Sequence, residues 1–337
     1  MRLRLVIVVI AATALGAGCT AAAPPTREAR LGTLPDRGAV LYSWSSDGFL
    51  LSIESSAVRG RQPYQRAQMT QTDHRQVLHV AQDGRAVVIN DYHEDGRQGT
   101  YVRWSSQGHI HTGRLLRIPV SAAEISLCGS RAVVYAAADG VVTRHLPGRA
   151  RPISAPVRPA LIECSPRGWI AALNGHGDLM IGSEDGLSTI DPGMRLTGLE
   201  WSPDGARLAA CTEAGDLVLL SADGTLESTV ARTGVPCQPA WSPDGRRLAF
   251  TRAGRLLVTC SCGGEPHVVT ADVGATSPVW SPAGTAIAYG ELFAGVSAVV
   301  YSTRRTVVVA HDGFPLAWLD PSAARRASAL ADSYPCC

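Results

Sequence analysis

The chain has 337 residues, enough for one large all-β domain or two ordinary ones, and its 45% apolar content allows a sizeable core. Its 34 glycines and 21 prolines call for many turns; no lysine occurs, so all 31 basic side chains are arginine, which fits GC-rich coding better than a phosphate-binding design. Apart from Arg2 and Arg4 near the N-terminus, 29 arginines face 29 acids, and a neutral chain without basic runs argues against a nucleic-acid partner.

Residues 1–4 are short and basic, and residues 5–18 are apolar and small. Fourteen residues are too few to span a bilayer, which takes about 20. The pattern is that of the hydrophobic region of a secretory signal peptide. It ends in Leu15-Gly16-Ala17-Gly18-Cys19. Small residues before a cysteine resemble the bacterial lipoprotein signal, in which that cysteine is lipidated and becomes the first mature residue. The large aliphatic residue stands one place further back than usual, at Leu15, with Gly16 in its stead. The resemblance implies a signal peptide over 1–18, a lipid on Cys19 and a membrane partner through that lipid. Residues 19–37, polar and Pro-containing, then form a tether. The alternative is an ordinary signal peptide cut near Ala17 or at Ala21 to Ala23, which gives a secreted soluble protein.

Beyond residue 38 one signature recurs. Two full copies are Trp201-Ser202-Pro203-Asp204-Gly205 and Trp241-Ser242-Pro243-Asp244-Gly245. Near copies begin at Trp44, Cys164 and Trp280, and degenerate ones at Val80, Cys128 and Trp318. Successive steps are 36, 48, 36, 37, 40, 39 and 38 residues. Around each copy lie an apolar run, an alternating run, a Gly turn, a third run, another Gly turn and a last short run. That predicts four short strands per unit and no helical period of useful length. Asp-Gly suits a tight hairpin, Pro fixes the turn entry, and Trp fills the space between neighbouring sheets.

A period of this length marks a repeat architecture. These residues resemble the WD40-like repeat of TolB-type propellers over about residues 38–330. The resemblance implies an all-β propeller of four-stranded blades over 38–337. Seven blades result if residues 39–53 form an outer hairpin that completes the Trp318 blade. Eight result if Trp44 starts its own blade, and six is a third count. The 48-residue step predicts an enlarged blade, with Trp104-Ser105-Ser106-Gln107-Gly108 on its outer strands.

Nine cysteines are present, so eight remain if Cys19 is lipidated, an even number suited to an oxidising compartment. Cys211 ends an inner-blade strand and Cys237 opens the next blade, which makes them a candidate disulfide. Cys260 and Cys262 share a strand face, within possible reach of Cys336-Cys337. Cys128 and Cys164 occupy Trp positions, where a small thiol packs. His109 and His111 share a strand face near Asp91, His93, Glu94 and Asp95, read as an exposed hairpin with solvated charges. Glu163 and Glu200 directly precede the signature in adjacent blades and are candidates to line the axis. The sequence holds no H-E-x-x-H, no phosphate loop and no nucleophile elbow, so no catalytic residue, metal or cofactor is expected. The expectation is a membrane-anchored, non-enzymatic scaffold for an envelope protein or a small ligand. The alternative is a propeller enzyme, a lyase, glycosidase or oxidoreductase, with its site at the channel mouth.

Overall fold

Because a propeller blade buries both faces, its middle strands must be apolar on successive residues, with the two sets facing opposite neighbours. Leu208 and Ala210 pack into one interior cluster, while Ala209 and Cys211, on the same strand, pack into the next. The computed structural model describes residues 39–43, 50–52, 73–93, 96–138, 140–234, 237–270, 274–291, 295–310 and 314–332. The chain divides into Met1–Arg30 and Leu31–Cys337, and the first unit lies wholly outside the described residues. So do the tether over 19–37, Cys19, Trp44, Glu94, Asp95, Cys336 and Cys337.

Strands are numbered in chain order. The first two are β1 (Ala39–Ser43) and β2 (Leu50–Ser52). Blade A holds β3 (Asp73–Val80), β4 (Ala86–His93), β5 (Gln98–Ser106) and β6 (His109–Leu116). These long strands account for the enlarged step in the repeat. Blade B holds β7 (Ile125–Cys128), β8 (Ala132–Ala137), β9 (Gly140–His145) and β10 (Ala150–Ile153). Blade C holds β11 (Leu161–Cys164), β12 (Ile170–Leu173), β13 (Leu179–Ser183) and β14 (Gly186–Ile190). Blade D holds β15 (Leu196–Trp201), β16 (Arg207–Thr212), β17 (Asp216–Ser221) and β18 (Leu226–Arg232). Blade E holds β19 (Ala240–Trp241), β20 (Arg247–Arg252), β21 (Arg255–Cys260) and β22 (His267–Val268). Blade F holds β23 (Ala275–Trp280), β24 (Ala286–Glu291), β25 (Gly295–Val300) and β26 (Thr306–Ala310). Blade G joins β27 (Phe314–Leu319) to β1 and then to β2.

Six sheets are thus four-stranded, and the seventh has three strands among the described residues. The first strands β3, β7, β11, β15, β19, β23 and β27 lie against one another in turn, and β27 meets β3 to close the ring. The seven-blade arrangement is the one observed. The N-terminal β1 pairs with the C-terminal β27 from Ala39–Leu319 to Ser43–Phe314, so the two ends of the chain share one sheet and the ring is closed by strand pairing.

The signature closes the turn between a first and a second strand. Expected as a tight Asp-Gly hairpin, it is a longer turn organised by its serine. Ser202 N–H donates to Arg207 O at 2.8 Å, Arg207 N–H donates to Ser202 Oγ at 2.9 Å, and Gly205 N–H donates to Ser202 O at 2.8 Å. Asp204 Oδ1 accepts from Ser202 Oγ and Ala206 N–H, at 2.6 and 3.0 Å. Asp244 does the same with Ser242 and Arg246. Gly205 sits at φ +64 and Gly245 at φ +68, where a side chain would be strained. These bonds hold both aspartates below the usual carboxylate range, the serine hydroxyl first.

One element lies beyond the strand repeat and was not predicted: α1 (Pro321–Asp332) follows β27. Asp320 Oδ1 caps it, accepting from Ser322 and Ala323 N–H at 2.8 and 3.1 Å, and Pro321 fills the first helical position. Ala323, Ala324, Ala327 and Leu330 face the joint between blades G and A, against Leu41, Val77, Val87, Ile89 and Leu319. Arg326 donates twice to Asp83 O, at 3.0 and 2.8 Å. The helix lies so close that a Cβ on Gly84, at φ +67, would sit 1.9 Å from Ala323 O.

Candidate functional site

The residue directly before the signature comes to the same level of each first strand. Around the ring these are His79, Leu127, Glu163, Glu200, Ala240, Val279 and Ala317. The backbone carbonyls of Glu163, Glu200 and Ala240 serve the next blade. Trp201 Nε1 donates to Glu163 O at 3.3 Å, Trp241 Nε1 to Glu200 O at 3.1 Å, and Trp280 Nε1 to Ala240 O at 2.9 Å. Each of these three Trp residues thus both fills its joint and ties its blade to the preceding one, whereas the Trp318 N–H has no hydrogen-bond partner among the described residues.

Where Cys replaces Trp the tie is covalent. Cys128 and Cys164 form a disulfide between β7 and β11, with their Cα atoms 5.0 Å apart. This corrects their reading as packed thiols: equal positions on adjacent first strands fall within disulfide reach. Their shared repeat position and 36-residue spacing are the signal that locates this bridge. Cys211, at the end of β16, is bonded to Cys237 on the loop leading into β19, Cα to Cα 5.9 Å. Cys260 and Cys262 are bonded to each other.

Glu163 and Glu200 are set by these strands into the crevices between neighbouring first strands, half-buried. Glu163 Oε2 accepts from Ser126 Oγ on β7 at 3.3 Å, and Ser126 Oγ in turn accepts from Cys164 N–H at 3.1 Å. Glu200 Oε1 accepts from Trp241 N–H on β19 at 3.4 Å, while its Oε2 is buried without a hydrogen-bond partner among the described residues. Burial pushes Glu163 up to about 7, with the Ser126 hydroxyl opposing it. Burial likewise pushes Glu200 up to about 8; the Trp241 N–H opposes this and the Glu163 charge adds to it. Near neutrality the pair therefore holds protons that a solvated carboxyl would release. His79, on β3, lies 2.7 Å by Nε2 from Ala122 O, and burial lowers its pKa, so the neutral ring donates to that carbonyl.

The remaining candidates take structural places. Asp91 is buried on β4, not on a solvated hairpin, and Arg103 of β5 stands 3.8 Å away. Arg103 also donates to Leu330 O in the last turn of α1 at 3.2 Å, a cation at the negative end of the helix. His111 packs on Trp104, 5.4 Å between centroids, with Nε2 2.7 Å from Ser106 Oγ, while His109 is exposed. Among the described residues no three His, Cys, Asp or Glu side chains gather as a metal site would require.

No family model and no curated protein matches the sequence. The chain is similar in structure to one in the crystal structure of a mitotic checkpoint complex, at 16% identity and a TM-score of 0.53, over 73% of this chain and 85% of that one. It is also similar to the β-propeller domain of Myceliophteria thermophila Cps50 (Swd1), at 12% identity and a TM-score of 0.49, over 72% and 84% of the two chains. With the repeated sheets and the closed ring, the first likeness agrees with a β-propeller fold.

Proposed function

We propose that this chain is a TolB-type propeller exported and held at the outer face of the cell membrane by a lipid on Cys19. There it serves as a non-catalytic scaffold for an envelope protein or a small ligand. The observation that carries the reading is covalent reinforcement of the ring. Cys128–Cys164 and Cys211–Cys237 suit an oxidising compartment, which agrees with the leader. The loops leading into β7 and β11 open on one end of the ring and expose Ile118 and Val157, 67% and 45% accessible. Arg158 of the second loop pairs with Glu124 beside the first at 2.6 Å, joining the two into one surface.

Metabolic labelling with palmitate tests the anchor: the wild type takes up label and Cys19→Ala does not. Equal labelling of both rules the lipid out. A photo-crosslinking residue at 118 or 157 tests the scaffold face in intact cells, with Leu226 on β18 as the control. Discrete adducts are expected from the loop positions; adducts arising equally at 226 refute a loop-face scaffold. A second reading, an enzyme, is favoured by one observation, the proton-holding Glu163 and Glu200, because shifted carboxyls are common at reactive sites.

A further inference from the structure

We propose that the Cys260–Cys262 disulfide is a thiol–disulfide exchange site that accepts two electrons from a pair of thiols. It differs from the other two bridges in exposure and in the length of the loop it closes. Both its cysteines are exposed, whereas Cys211 is fully buried and Cys164 nearly so. It spans a sequence separation of 2, against 36 and 26, so it restrains the unfolded chain least. Exposed bridges are the labile or catalytic ones.

The turn that carries it does not need the bond to keep its shape. Ser261, between the two cysteines, is buried. Its N–H donates to Arg246 O at 2.9 Å and its hydroxyl donates to Gly245 O at 3.1 Å. Arg207 of blade D reaches across to donate to Ser261 O and Oγ, at 3.4 and 3.2 Å. Gly263 N–H donates to Cys260 O at 3.1 Å, and Thr259 Oγ1 donates to Gly264 O at 3.2 Å. Once reduced, the two sulfurs therefore stay neighbours, ready to re-form the bond.

Polarity of the turn selects the leaving sulfur. Cys262 N–H donates to Cys260 Sγ at 3.2 Å, and Arg247 stands directly across the strand pair from Cys260. Arg207 adds a permanent cation at Ser261, and the acid of this turn, Glu265, lies on its far side in sequence. Negative charge is favoured on Cys260. A thiolate then attacks Cys262 Sγ, the disulfide breaks, and the electron pair leaves on Cys260 Sγ. The second thiolate attacks the bound partner sulfur and releases Cys262. The partner dithiol loses two electrons and two protons and becomes a disulfide; Cys260 and Cys262 take up both.

The test is a dithiothreitol titration of the purified, oxidised full chain, with alkylation of each cysteine read by mass spectrometry. Cys260 and Cys262 are expected to be labelled at a thiol concentration about ten-fold or more below that needed for the other two bridges, while the fold persists. Labelling of all six together, only on unfolding, overturns the proposal. In parallel, the oxidised chain is mixed with a reduced two-cysteine peptide or with glutathione. Formation of peptide disulfide, lost in Cys260→Ser/Cys262→Ser, supports a protein dithiol as donor. Equal reduction by glutathione supports a small thiol, and no transfer to either overturns the site. The double variant is expected to melt within about 2 °C of the wild type, because so short a loop restrains little; a large loss of stability would make the bond structural and overturn the proposal.

Discussion

Glu200 shows how one position in a repeat changes character with its neighbours. It occupies the level that Ala240 and Val279 fill in the following blades, yet it carries a carboxyl whose second oxygen has no hydrogen-bond partner among the described residues. Its pKa is raised, to about 8, so the folded state binds this proton more tightly than the unfolded chain does. Such a group contributes full stability below the unfolded carboxyl value, about 4.3, and loses that contribution as pH rises toward 8. Glu163, raised to about 7, adds in the same direction over a narrower window. Glu200→Gln keeps the acceptor for Trp241 N–H and removes the charge. We expect the variant to melt above the wild type at pH 8, by about 3 °C, and close to it at pH 5, taking ~1 kcal/mol as 2–4 °C for a domain of this size. The same shift at both pH values would show that the carboxyl is not the cause.

At the scale of single elements, α1 is the part that sequence periodicity missed and local chemistry could have found. Asp320-Pro321-Ser322 is a capped start, and Ala323, Ala324, Ala327 and Leu330 repeat at helical spacing. The pattern was masked because alanines give a weak apolar stripe and the strand repeat ran up to Trp318. Its placement is a tertiary matter. The helix covers the joint where the two chain ends meet and brings its final turn to the buried Arg103. Asp320→Ala removes the cap at a cost of about 1 kcal/mol. We expect the melting temperature to fall by about 2–4 °C, with no matching loss from Asp191→Ala on an exposed loop, whose oxygen accepts from Gly193 N–H.

At the scale of the molecule, seven apolar clusters among the described residues lie between seven pairs of adjacent blades, and none of them dominates. Stability therefore depends on each joint. Three consecutive joints are tied by a Trp N–H to a carbonyl, one by a disulfide, and the closing one by strand exchange and the helix. The Cys128–Cys164 bridge closes a 36-residue loop, for which chain entropy predicts about 2–4 kcal/mol. Cys128→Ser/Cys164→Ser should lower the melting temperature by roughly 5–15 °C in calorimetry. An unchanged melting curve would mean that packing alone holds blades B and C together.

The repeat of Trp, Ser, Pro, Asp and Gly determined the blades on its own, because turn chemistry and two-residue alternation act within some 40 residues and need no distant partner. The enlarged first full blade followed from the same local rules. The choice among seven, eight and six blades belonged to the tertiary structure, since it depends on which strand β27 pairs with at the other end of the chain, at Val40–Trp318 and beside it. The partners of Cys128, the burial of Asp91 and the raised carboxyls of Glu163 and Glu200 were decided there too. Each arises from contact between blades, where desolvation and neighbouring charge outweigh a residue's own preference.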